Sequence, residues 1–249
     1  MGFVYSKKLG REVQVDIYLP ELPPETLLLV NDGQDLPLLD IPTLLKATPV
    51  MVAGIHAGSA RRQEYGVAGI PDFQGDGSLA AEYTAFILEE LLPWLYQQHP
   101  AVAGLPRGFA GFSLGGLSAL DIVWRHPDIF TFAGVCSGAL WWRDKPLDAH
   151  YSDLTDRIMH RVIRKGHFHP GMQFFFECGT DDETADRNNN GVIDSIDDTL
   201  DLIEELQMHG YQLQQDIHYL EIQGGRHHPD TWKLAVEAML RLPFFSERK

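Results

Sequence analysis

The sequence predicts an α/β fold in which a mostly parallel central sheet is covered by helices on both faces. Three observations carry this: short continuous apolar runs, intervening segments with roughly 3.6-residue periodicity, and glycine or proline at the joints. Strands buried on both faces lack the in-out alternation of a half-exposed sheet, so continuous apolar runs separated by amphipathic helices read as parallel strands.

In chain order, Val13, Val15, Ile17 and Leu19 alternate with polar residues, as in a half-exposed edge strand. Residues 27–30, Leu-Leu-Leu-Val, read as the first buried strand. From there strand and helix alternate: strands over 50–55, 108–112, 132–136, 174–178 and 217–222, with helices over 79–98, 114–125, 154–164, 199–209 and 231–240. No repeat, low-complexity tract or Ser/Gly linker divides the chain. Its 249 residues, 44% hydrophobic, therefore read as one domain over 1–249 with an insertion at 186–197.

Composition excludes several partners. A net charge of -15, with no basic run longer than Lys7-Lys8 or Arg61-Arg62, argues against binding a phosphate backbone, so no nucleic acid is expected. Neither a secretory signal nor a run of about 18 apolar residues is visible, which predicts a soluble chain with no membrane partner. Cys136 and Cys178 each sit inside an apolar run without Cys-x-x-Cys spacing, and read as buried thiols suited to a cytoplasmic location.

In sheets of this kind ligands bind beyond the carboxyl ends of the strands. Gly111-Phe112-Ser113-Leu114-Gly115 lies there, between a predicted strand and a predicted helix, which is the context of a nucleophile elbow. The serine occupies a strained turn, and the glycines two residues either side let strand and helix approach. The Leu114 amide, first in the following helix, would face a developing oxyanion. A second donor is expected from the turn after the 27–30 strand, with the Gln34 amide as the candidate.

A serine hydroxyl needs a histidine to take its proton and a carboxylate to orient that histidine. Downstream of Ser113, the strand over 174–178 runs into Gly179-Thr180-Asp181-Asp182-Glu183, where each of the three acids is a candidate. Gly224-Gly225-Arg226-His227-His228 follows the last strand and offers two histidines. The aromatic pair Trp141 and Trp142, on the loop after the 132–136 strand, is expected to line the substrate pocket.

Together these segments resemble the Putative esterase family of α/β-hydrolases, which includes esterase D-like and enterochelin-esterase-like enzymes. The resemblance covers most of the chain. It rests on Val30-Asn31-Asp32-Gly33-Gln34, on Gly54-Ile55-His56 leading to Arg61-Arg62-Gln63-Glu64-Tyr65, on Tyr83-Thr84-Ala85-Phe86 with Glu90-Leu91-Leu92-Pro93, and on Gly111 to Gly116. Gly179-Thr180-Asp181-Asp182 looks like the family's Gly-Thr-x-Asp segment, and Gly224-Gly225-Arg226-His227 is similar to its Gly-Gly-x-His segment. The resemblance thus implies an α/β-hydrolase fold, Asp182 as the acid, His227 as the base, and hydrolysis of small-molecule carboxylic esters without a required cofactor. Family members cleave esters of siderophore backbones, feruloyl or acetyl sugars and short acyl chains, so no one substrate is implied.

The chain departs from that pattern directly after the acid segment. Asp186, Asn188 and Asn190 fall at positions 1, 3 and 5 of a calcium loop, Gly191 at 6, the Val192 carbonyl at 7, and Asp194 and Asp197 at 9 and 12. Position 12 is Asp rather than a bidentate Glu, so the loop looks dockerin-like and predicts weak, structural Ca2+. The alternative is a solvated loop in which Ser195 caps a helix starting near Ile196. Two rival functions share these features: a catalytically silent calcium-dependent binding module, and an acyltransferase with the same triad.

Overall fold

In the computed structural model, which describes residues 1–246, eight strands form one sheet. They are β1 (Gly2–Ser6), β2 (Arg11–Tyr18), β3 (Thr26–Asn31), β4 (Val50–Ile55), β5 (Arg107–Phe112), β6 (Phe132–Cys136), β7 (Gln173–Gly179) and β8 (Ile217–Ile222), in the order β1-β2-β4-β3-β5-β6-β7-β8. β1 pairs antiparallel with β2, and β2 antiparallel with β4. Every later pairing is parallel, through registers such as Val30 with Ala110, Phe112 with Cys136 and Glu177 with Leu220.

The continuous apolar runs are explained by cores on both faces. Leu27 and Leu29 pack into one core with Phe109, Phe174 and Phe176, while Leu28 and Val30 face the other with Phe112 and Phe175. The helices are α1 (Ile41–Leu44), α2 (Arg61–Glu64), α3 (Ala80–Phe86), α4 (Leu92–Gln98), α5 (Leu114–Arg125), α6 (Asp153–Asp156), α7 (Ile158–Arg164), α8 (Asp194–Met208) and α9 (Pro229–Leu240). Leu117 and Leu120 of α5 close the first core, and Trp232, Val236 and Met239 of α9 close the second.

Four expectations change. β1 is an additional edge strand, joined to β2 through a turn in which Gly10 has φ 64°. The helix expected over 79–98 passes through a π-helical stretch, Ile87–Leu91, between α3 and α4. Pro93 stands just after it; its ring has no N–H to continue the ladder, and the wider turn absorbs the interruption. The helix expected over 154–164 is broken at Arg157, which is extended (φ -75°, ψ 115°) while its guanidinium reaches Asp198 at 2.5 Å and Asp201 at 2.6 Å. Finally, α8 begins at Asp194 after Ile193, so Ser195 lies within the helix rather than capping it. Among the described residues no helix is long and apolar enough to cross a membrane.

Candidate active site

Ser113 stands between β5 and α5 with φ 53° and ψ -125°, a conformation that costs an L-residue about 1–3 kcal/mol. Four backbone bonds hold it there. Its amide donates to the Cys136 carbonyl at 2.9 Å, and its carbonyl accepts from the amides of Gly116 at 3.0 Å, Ala139 at 3.1 Å and Leu117 at 3.3 Å. The flanking glycines are required by contact: a Cβ on Gly111 would lie 2.5 Å from the Gly115 carbonyl, and one on Gly115 would lie 2.7 Å from Asp32 Oδ2. Leu114 begins α5, so its amide has no partner within the helix and is available to an anion.

The loops after β7 and β8 are tied to each other. Thr180 N donates to the Ile222 carbonyl at 3.0 Å, Asp181 N to the Gly225 carbonyl at 2.8 Å, and Gly224 N to the Thr180 hydroxyl at 2.8 Å. Gly179 permits this approach, because a Cβ there would meet the Gly225 oxygen at 2.3 Å and Asp182 Oδ1 at 2.8 Å. The result is a cavity of about 190 Å³ lined by Ser113, Ser137, Gly138, Trp141, Asp182, Glu183, Ser195 and His227. Asp181 points to solvent. His228 is occupied as the cap of α9, its Nδ1 accepting from the Asp230 amide at 3.3 Å.

Both Asp182 oxygens are buried without a hydrogen-bond partner. Burial raises the Asp182 pKa, opposed by the nearby Ser137 hydroxyl, the Gly179 amide and the charge of His227. For His227, loss of water around the ring pushes the pKa down; Asp182 pulls it up and Arg61 adds to the lowering. Asp182 and His227 therefore face one another electrostatically without a hydrogen bond, a separation that tightens in many enzymes once substrate is bound.

Three supporting residues escaped the sequence reading. Ser137, 3% exposed with φ 47°, accepts from Trp232 Nε1 at 3.0 Å and stands beside Asp182, while the Trp232 ring meets His227 edge-on at 5.3 Å. Glu177, 1% exposed, has both oxygens unpartnered; burial and then the Asp182 charge push its pKa up to about 8. Asp32, in the left-handed region at φ 59°, is held by Arg61 through two 2.7 Å bonds. A carboxylate directly after the aromatic run Phe174 to Phe176, still within the buried strand, was the one available signal for Glu177.

A model of the Putative esterase family matches residues 6–242. The chain belongs to the Putative esterase family. Among solved structures, the enterobactin esterase FES from Shigella flexneri, solved with 2,3-di-hydroxy-N-benzoyl-glycine, superposes with a TM-score of 0.71 at 19% identity, covering 96% of this chain and 57% of that one. The IroE-like serine hydrolase from Shewanella oneidensis gives 0.67 at 20% identity, covering 95% of this chain and 77% of that one. Mycobacterium tuberculosis MPT51 (FbpC1) gives 0.65 at 16% identity, with 96% and 94% covered. These likenesses establish the α/β-hydrolase fold. The chain spans little more than half the length of the enterobactin esterase. No curated protein matches it.

Within this Putative esterase family member the remaining site candidates separate. Gln34 lies at the start of a 3-10 helix, Gly33–Leu39, directly after β3; its side chain bonds Asp32 Oδ1 at 3.2 Å and the Ala57 amide at 3.1 Å. Trp141 lines the cavity and is 39% exposed. Trp142 does not: it is 1% exposed and packs against Gly66 and Gly77, where a Cβ would come within 3.0 Å and 2.9 Å of its ring. The turn after β6 sends the two adjacent rings to different sides, and the second tryptophan has taken the core side.

The inserted loop fits a cation in part. Asp186 accepts the amides of Asn190 and Gly191 at 3.1 and 2.9 Å, and the Asn188 and Asn190 side chains converge on Asp197 Oδ2 at 2.9 and 2.8 Å. Val192 joins this web through its amide, 2.7 Å from Asn190 Oδ1. Asp194 is diverted, accepting the Arg187 amide at 2.9 Å and its guanidinium at 3.1 Å. Among the described residues no group of three or more His, Cys, Asp or Glu is placed to hold a metal.

Proposed function

We propose that this chain hydrolyses small-molecule carboxylic esters through an acyl-enzyme on Ser113. The observation that carries the reading is the shared cavity: a serine in a strained elbow opens onto the same 190 Å³ space as Asp182 and His227. Ser113 Oγ attacks the ester carbonyl and passes its proton to His227, whose positive charge Asp182 stabilises. The Leu114 amide, with the Gln34 amide as second donor, stabilises the oxyanion. When the tetrahedral intermediate collapses, His227 returns the proton to the departing alcohol. Water, activated by His227, then releases the acid and restores Ser113.

Turnover of p-nitrophenyl acetate and butyrate tests this. Ser113→Ala should lower kcat by about four to six orders of magnitude; equal turnover by both proteins would remove the serine from the mechanism. The two free buried cysteines, Cys136 and Cys178, support a cytoplasmic setting. The loop over 186–197 is proposed as a weak calcium segment using Asp186, Asn188, Asn190, the Val192 carbonyl and Asp197, stiffening the chain beside Asp182 and taking no part in the reaction. Calorimetry on chelator-treated protein that shows no heat on adding calcium would reject it.

A further inference from the structure

The cavity contains two polar atoms outside the triad, on neighbouring side chains, whose hydrogen-bonding capacity the fold uses incompletely. Ser195 is 8% exposed, and its Oγ lines the cavity without a hydrogen-bond partner. Glu183 Oε1, on the same lining, is buried and closes no hydrogen bond of ordinary geometry; the carboxyl lies beside the Ser195 amide and hydroxyl, which oppose the rise that burial causes in its pKa. Both belong to elements fixed by other contacts. Ser195 lies in the first turn of α8, its carbonyl accepting from Thr199 Oγ1 at 2.8 Å, and Glu183 follows Asp182 in the loop pinned to Gly225.

A buried acceptor left without a donor costs about 1–3 kcal/mol, and a ligand that supplies the donor recovers that loss. A carboxylate oxygen only accepts, whereas a hydroxyl does either, so the complement of the pair is a group carrying N–H or O–H. Trp141 contributes an apolar surface to the same lining, suited to the methylene chain bearing that donor. A space of about 190 Å³ holds only a short chain, which keeps the donor within a few bonds of the scissile carbonyl. With Asp182 also on the lining, an ammonium gains more from this site than a hydroxyl.

We propose that the cavity is an acyl subsite for short esters whose acyl chain bears a hydrogen-bond donor, received by Glu183 and Ser195. The proposal rests on the esterase reading above. It is tested with p-nitrophenyl 3-aminopropanoate, 3-hydroxybutyrate and butyrate, each kcat/KM being divided by the rate of uncatalysed hydrolysis. The wild type should favour the donor esters over butyrate by at least about tenfold. Glu183→Gln should bring that ratio close to one, and Ser195→Ala should lower it. A preference for the aminopropanoate alone assigns a cationic donor, and a preference shared with the hydroxybutyrate assigns a donor of either charge. Ratios near one in the wild type, or ratios unmoved in both variants, overturn the subsite while leaving the esterase reading intact. Absence of Ser113-dependent turnover of all three esters overturns both.

Discussion

Replacing Glu177 with glutamine should stabilise the protein in alkaline solution. The carboxyl is 1% exposed, neither oxygen closes a hydrogen bond of ordinary geometry, and its pKa is raised from 4.5 to about 8 by burial and then by the charge of Asp182, against the opposing pull of the nearby Ser137 amide. An unfolded chain gives up this proton near 4.5, whereas the folded chain keeps it until about 8. Below the lower value both states are protonated and the stability is fully present. Between the two values unfolding releases a proton, so stability declines by about 1.4 kcal/mol per pH unit, and the loss levels off above the folded pKa at a ceiling of order 5 kcal/mol. Glutamine cannot ionise and carries no such slope. Urea unfolding of both proteins from about pH 5 to about pH 9 reads the difference directly, because other titrating groups cancel between them. The variant's advantage should grow by several kcal/mol across that range. It should shrink when Asp182→Asn is introduced into both backgrounds, since the second cause of the shift is then gone. Stability curves that run parallel at every pH would refute the reasoning.

The acid limb of kcat/KM should follow His227, whose pKa lies below the ordinary 6.5, so activity is present above that value and is lost as pH falls through it. Arg61→Met removes a cation that depresses this pKa, and the limb should move to higher pH in a pH-rate profile. Asp182→Asn should reduce kcat by roughly four orders of magnitude, the cost of losing the residue that orients the base, whereas the same change at solvent-facing Asp181 should leave kcat near wild type. Gly179→Ala places a Cβ 2.3 Å from the Gly225 oxygen and 2.8 Å from Asp182 Oδ1. It should cost about 1–3 kcal/mol in urea unfolding and lower kcat through displacement of both loops; wild-type values would show that the loops separate without strain.

The sheet was legible because its strands are buried on both faces, and the alternation of Leu27 and Leu29 with Leu28 and Val30 between two cores is what a continuous apolar run means physically. Gly111 and Gly115 were legible because a Cβ on the first would lie 2.5 Å from backbone and one on the second 2.7 Å from Asp32 Oδ2, so the steric demand is written as residue identity. The exposed edge β1 left a weaker mark, since only alternate positions are buried along it. Trp142 was misplaced because pattern cannot say which of two adjacent aromatic residues turns inward; that choice is made by Gly66 and Gly77, far away in sequence. The start of α8 was misplaced for a related reason. Asp194 was counted as a loop ligand, yet Arg187 claims it, and the helix begins there. Ser137 belongs with these cases, its importance arising from Trp232 Nε1 at 95 residues' separation.

The neutrality of Glu177 bears on catalysis as well as stability. A general base has to be uncharged before the reaction and cationic within it, so its pKa is best held near the working pH. At His227 this is a balance: lost hydration and Arg61 push the pKa down, while Asp182 pulls it up. A second ionised carboxylate behind Asp182 would strengthen the upward pull and favour the imidazolium in the free enzyme. Burial of Glu177 prevents that at neutral pH, because its proton stays on until about 8. The interaction is mutual, since the charge of Asp182 is itself one reason that proton stays. On the proposed mechanism, ionised Asp182 thus keeps its neighbour neutral, and the neutral neighbour leaves His227 to respond to one carboxylate rather than two.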